Sequence, residues 1–262
     1  MKFGLLFGMG TFILSTGAAA QTCAGYVGQT VKPITIQQAI AGLPKVEPKS
    51  EFETTAQYDA RLKAAGSPST IVVAKRINDI YVKYDADAQV MRIRSDAFQP
   101  VSEWYLKLWR GAPKNLLSRG SNVAVEVDSD EAKVVRSYEA QNGYGASATV
   151  TRRERSVYTI FDRALPGFDR YEPIFTEIER QDQLPPVAMD AQIAQRVKPN
   201  LRIAFVTTPK APFYFESRHS GGSPTISDPD VTDDLHKVMV ADLQCGLLTD
   251  GNDAVLAAYE IK

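Results

Sequence analysis

The sequence predicts an α+β protein, predominantly antiparallel β, with sheets arranged as a sandwich or barrel and about three short helices. Three observations carry this. From residue 70 onward apolar residues recur mostly at period two, as in Val123, Val125 and Val127 against Ala124, Glu126 and Asp128. Turn signals separate the runs: Asp85-Ala86-Asp87-Ala88, Asn142-Gly143 and Asp250-Gly251-Asn252. Helical periodicity is confined to three short stretches, each with its own start or stop signal.

The first twenty residues have the form of a secretory signal: Lys2, an apolar run from Leu5 to Leu14, then Ala18-Ala19-Ala20 before Gln21. The apolar run is too short for a membrane span. Gln21-Thr22 before Cys23 lacks the small residue that lipidation requires. Without this segment 29 basic side chains stand against 31 acidic ones, a net charge of −2, which is no electrostatic footprint for nucleic acid. No later stretch approaches transmembrane length. The two cysteines, Cys23 and Cys245, lie near opposite ends of the mature chain. Export carries a chain into an oxidising compartment, so they are expected to pair, in a periplasmic or extracellular protein.

Residues 23–29 read as a short tethered strand or arm. Thr35-Ile36-Gln37-Gln38 is a capping box, followed by an apolar face of Ile36, Ala39, Ile40 and Leu43 that ends at Gly42 and Pro44. Residues 45–49 are a linker. Thr54-Thr55-Ala56-Gln57 is a second capping box, with Ser50-Glu51-Phe52-Glu53 as its rival. It opens a helix over residues 55–65, expected to dock through Phe52, Tyr58 and Leu62 and to stand at the centre of the fold. Gly66 and Pro68 close it.

Residues 70–77 form a strand, and residues 80–84 and 89–94 a hairpin. Trp104-Tyr105-Leu106-Lys107-Leu108-Trp109 is the most aromatic window. It is either a core strand or an exposed platform on which sugar rings could stack. Residues 110–122 read as loop, residues 123–127 as a strand and residues 134–138 as its return. Residues 144–152 and 156–163 read as two strands joined by a solvated charged tip, Arg152-Arg153-Glu154-Arg155. The proline-rich and charged run 166–186 is the expected seam between a helix-plus-β module (21–165) and a second module (187–262) packed on it. That second module opens with a helix over 187–198, closed by Pro199. Strands follow at 201–207, 213–216, 235–248 and 254–261. Between them lie a mobile loop, Ser220-Gly221-Gly222-Ser223-Pro224, and a turn at 249–253.

Residues 51–62, EFETTAQYDARL, together with Tyr84-Asp85-Ala86-Asp87-Ala88-Gln89-Val90 and Asn142-Gly143-Tyr144-Gly145, resemble uncharacterised secreted bacterial proteins in which an EFET-type segment precedes a β-rich region. The resemblance covers residues 49–165. It implies a shared fold and a cell-envelope location, and no activity.

The chain has two histidines. His219 lies beside the glycine- and serine-rich loop and is a candidate site residue; His236 reads as structural. Neither has a cysteine or second histidine at zinc-ligand spacing. There is no G-x-S-x-G, S-x-x-K, P-loop or dinucleotide fingerprint, so no catalytic residue and no cofactor is assigned. Asp85 and Asp87 fail as a calcium loop because Val90 stands where the glycine belongs. Asp228, Asp230, Asp233 and Asp234 form the best oxygen-ligand group, but their spacing matches no known loop, and no metal site is assigned. The binding candidates are Trp104, Tyr105, Trp109 and His219. The expected function is a non-catalytic exported envelope module, binding or structural, with an envelope protein or a glycan as partner. The alternatives are a hydrolase built on dispersed acidic residues or His219, and an accessory factor for assembly or secretion.

Overall fold

The structure, a computed structural model, describes residues 22–66, 68–98, 100–101, 123–162 and 184–260. The aromatic window 104–109 and the signal segment lie outside these, as does all of 166–186 except its last three residues. The fold is β-rich α+β with mostly antiparallel pairing. Its strands are β1 (Ile71–Arg76), β2 (Val82–Asp85), β3 (Val90–Ile93), β4 (Pro100–Val101), β5 (Val123–Ser129), β6 (Lys133–Gln141), β7 (Ser147–Asp162), β8 (Val187–Ala188), β9 (Arg202–His219), β10 (Asp230–Thr249) and β11 (Val255–Glu260). Among the described residues the α-helices are α1 (Ile36–Ala41), α2 (Thr55–Ala64) and α3 (Ala191–Val197).

The twenty-residue β10 is the spine. One edge pairs antiparallel with β9 along most of its length. The other edge takes β7 in parallel register over 230–240, then β11 antiparallel over 245–249. The main sheet runs β1-β9-β10-β7-β5-β4, and β2-β3-β8 form a small second sheet. The main sheet curls on itself. Lys75 of β1 donates to the carbonyl of Glu126 on β5 at 3.1 Å, although β9, β10 and β7 intervene in the pairing order.

A bulge lets β10 serve two cores. Before the register shift between Leu243 and Cys245, the odd-numbered Met239, Ala241 and Leu243 enter the main core. After it Leu248 does, while Cys245 and Leu247 turn to the outer face. One extra residue inverts the two-residue alternation, which is what a bulge does. The buried Asp162 carboxylate, at the end of β7, accepts the Leu243 amide at 2.6 Å beside this shift. In the main core Phe98 stands edge-on to Phe205 and Tyr259, with centroids 5.4 and 5.9 Å apart.

The outer face is sealed by the N-terminal arm. Cys23 is bonded to Cys245, with Cα atoms 5.6 Å apart. Cys23 and Val31 pack on Ala204, Val206, Leu247 and Val255. Gly28 and Val31 donate to the carbonyls of Val255 and Asp253, and Ile34 bridges to β1.

Four sequence expectations change. First, residues 51–62 are not the centre: α2 has no buried residue, Phe52 is 89% exposed, and Tyr58 and Leu62 are half-buried. The motif locks itself instead. Thr54 and Gln57 close the capping box, and Arg61 forks onto Glu53 at 3.1 and 2.8 Å while donating to the Glu47 carbonyl. Second, residues 152–155 are no hairpin tip but the middle of the sixteen-residue β7. Third, the strands expected at 201–207 and 213–216 are one, β9, with an irregularity opposite Met239 and Ala241. Fourth, the final helix starts later than residue 187, where Asp190 caps it by accepting the Ile193 amide at 2.8 Å.

Candidate functional site

The charged groups that stood apart in the sequence meet along the parallel β7–β10 ladder. The register sets Arg152 to Arg155 beside Val231 to Asp234. Arg152 pairs with Asp233 at 2.8 Å, Arg153 with Asp230 at 3.4 Å and Arg155 with Asp234 at 2.9 Å. Arg218 of β9 reaches across β10 to Glu154. Three of the four aspartates considered as metal ligands therefore serve as partners for arginines. With these partners and Arg218 the basic run is neutral as a unit.

Beside this ladder lies a cavity of about 520 Å³, lined by Arg152, Glu216, Arg218, His219, Ser220 and Asp233 among others. Asp233 is its best-held group. Both its oxygens take Arg152, and it accepts the Ser220 hydroxyl at 3.1 Å and the Gly221 amide at 3.2 Å. Burial pushes its pKa up, but the bonds from Arg152, Gly221 and Ser220 outweigh that and hold it below the usual carboxylate range. Gly221 is obligatory here: a Cβ would stand 2.1 Å from the Thr232 carbonyl oxygen. The loop expected to be mobile is thus fastened at its first two residues.

His219 lines this cavity and sits opposite Asp234 in the β9–β10 ladder. His236 is fully buried two residues on from Asp234, and burial above all lowers its pKa to about 4. A carboxylate saturated with donors and held at low pKa is a poor general base near neutral pH. Asp233 therefore acts as a fastening, and Ser220 is committed to it as a donor. Trp104, Tyr105 and Trp109 lie outside the described residues.

The strands expected at 134–138 and 144–152 form an arm that grows from the same strand, and sequence reasoning marked no site on it. The first half of β7 pairs with β6 and turns back through 142–146, where Asn142 Oδ1 accepts the amides of Tyr144 and Ala146 at 3.0 Å. Eight of the nine β6 residues are exposed, so neither face is covered. Val134 and Val135 are 58% and 59% exposed, Tyr138 36% and Tyr144, at the tip, 99%. Arg136 lies over the Tyr138 ring at 5.0 Å. Among the described residues β6 pairs only with β7, leaving its second edge open. A signal for this was present: Lys133, Val135, Ser137 and Glu139 alternate with Val134, Arg136, Tyr138 and Ala140, and neither set is an apolar face.

Comparison of the chain with protein-family models, curated proteins and solved structures finds no match.

Proposed function

We propose that this chain is an exported, non-catalytic cell-envelope protein that binds an extended segment of a partner protein by strand addition along β6. The observation that carries the reading is a nine-residue edge strand exposed on both faces, with three apolar side chains on it and Tyr144 at its tip. An open edge offers a row of backbone donors and acceptors at the spacing of another extended polypeptide. The exposed valines and Tyr138 supply contact area, and Lys133, Arg136 and Glu139 supply register. The arginine–aspartate ladder beneath keeps the arm from bending away as a partner docks. Export is supported by the form of residues 1–20, by the Cys23–Cys245 bond and by the EFETTAQYDARL resemblance. A hydrolase centred on His219 is less well supported, because Asp233 beside it is saturated with donors.

Hydrogen exchange tests this directly. In the presence of envelope extract, the amides of 133–141 are expected to slow by about tenfold or more, as new ladder bonds form. Val135→Pro, which blunts the edge at the bulge between Val134 and Arg136, is expected to abolish the protection and leave the melting midpoint nearly unchanged. Capture of a partner with β6 exchange unaltered would place recognition elsewhere and overturn the proposal.

A further inference from the structure

At the opposite end of the main sheet, three arginines converge without an acid apiece. Arg76, the last residue of β1, and Arg202, the first of β9, are directly opposite in the antiparallel register. Like charges placed so destabilise a sheet. Arg196, from the last turn of α3, joins them around a cavity of about 510 Å³ whose walls include Val197, Asn200 and the 250–252 turn.

The compensation is partial. Arg202 pairs with Asp253 at 3.1 Å, and Arg76 donates to the Pro199 carbonyl at 3.1 Å. Arg196 has no hydrogen bond or ion pair among the described residues. Asp250 also lines the cavity, but one of its oxygens is occupied by the amides of Asn252 and Ala254 at 2.8 and 3.0 Å. Three arginines against Asp250 and Asp253 leave one positive charge uncompensated. Other arginines of this fold have a carboxylate each, as Arg61 has Glu53, Arg92 has Asp85 and the β7–β10 ladder has its aspartates, or lie singly over a ring, as Arg136 does over Tyr138. Here three arginines share one cavity.

The walls are also fixed in advance. A Cβ at Gly251 would stand 2.9 Å from Cβ of Asn200, so the turn packs against Asn200 only because residue 251 is glycine. On its other side the turn is held by the arm: Val31 donates to the Asp253 carbonyl, and Thr30 bridges to Ala254.

We propose that this cavity binds a phosphate group, free or borne on a larger envelope molecule. Guanidinium forks match oxyanions in pairs of parallel hydrogen bonds. Three forks suit the three terminal oxygens of a phosphate better than the two oxygens of a carboxylate. A bound dianion would also relieve the Arg76–Arg202 repulsion, so binding and stability are linked. The site is independent of β6 and of what docks there.

The test is calorimetric titration of the full chain at low salt with inorganic phosphate, and sedimentation with vesicles containing phosphatidic acid, a phosphomonoester lipid, against phosphatidylcholine vesicles. Phosphate is expected to saturate and to raise the melting midpoint. Arg196→Gln, which alters an exposed side chain, is expected to weaken it about tenfold, the usual consequence of one lost charged hydrogen bond. Arg76→Gln is expected to weaken phosphate similarly with a ligand-free melting midpoint no lower than the parent's, whereas an arginine that only held the Pro199 carbonyl would lower it when replaced. Selective sedimentation with phosphatidic acid, lost in Arg196→Gln, would assign a lipid headgroup as the source; saturation by phosphate alone would assign a soluble ligand. Two results overturn the proposal: no saturation by phosphate up to about 10 mM, a generous limit for a weak site, or affinities equal in wild type, Arg76→Gln and Arg196→Gln.

Discussion

His236 couples this fold to pH. It has no exposed surface, and its pKa is lowered to about 4, chiefly by burial. Asp234 pulls the other way, and His219 and Arg155 reinforce the lowering. The native state therefore holds a neutral imidazole, whereas the unfolded chain takes up a proton near pH 6.5. A depressed folded pKa means that the stability is fully present above about 6.5 and is lost as pH falls through the window to about 4. The loss is expected to reach roughly 2–3 kcal/mol, at 1.36 kcal/mol per unit. Urea midpoints measured at pH 7.5 and 4.5 check it. His236→Phe cannot titrate and should flatten the difference between the two pH values, whatever it does to absolute stability. An unchanged pH slope in that variant would move the effect to another group.

At the scale of elements, local codes were legible and distant pairings were not. Both capping boxes, Thr35 with Gln38 and Thr54 with Gln57, form as their spacing predicts, and so does the β2–β3 hairpin. Each is decided by residues within a few positions of one another. β7 was misread as two strands because Arg152-Arg153-Glu154-Arg155 has the composition of a solvated turn. Its charges are satisfied by aspartates about eighty positions later, through a parallel pairing that no local pattern announces. The His219 cavity was glimpsed through one histidine and a loop; the Arg76–Arg202 juxtaposition needed the register of β1 on β9. The motif at residues 51–62 misled in the other direction, since density of local signals marks a self-contained lock and not a core. Leu62, half-buried, is accordingly expected to cost on the order of 1 kcal/mol when cut to alanine, below the ~2–5 kcal/mol of a fully buried leucine. Thr54→Ala should cost about as much, through its lost cap. Paired urea melts decide this, and a loss of 3 kcal/mol or more for Leu62→Ala, well above the expectation for a half-buried side chain, would return α2 to the core.

On the scale of the whole molecule, one covalent bond joins Cys23, in the N-terminal arm, to Cys245, 222 positions later on β10. It fastens the arm whose amides complete β11 and the 250–253 turn, and whose Cys23 and Val31 cover Val206 and Leu247. Three effects of breaking it follow from that placement. The unfolded chain regains the entropy of an open loop, which on the chain-entropy model is worth up to about 5 kcal/mol. The apolar row on the outer face of β9 and β10 becomes accessible as the arm lifts. The turn walling the three-arginine cavity loses its outer support. The double variant Cys23→Ser with Cys245→Ser should therefore melt at lower urea, be cut by protease within residues 24–34 before the rest of the chain opens, and bind phosphate more weakly than the oxidised protein. Thiol titration of the denatured, unreduced wild type should find no free cysteine. A double-serine protein as resistant to urea and protease as the parent would show that the arm's ladder bonds alone hold it, and that the disulfide adds nothing to the folded state it closes.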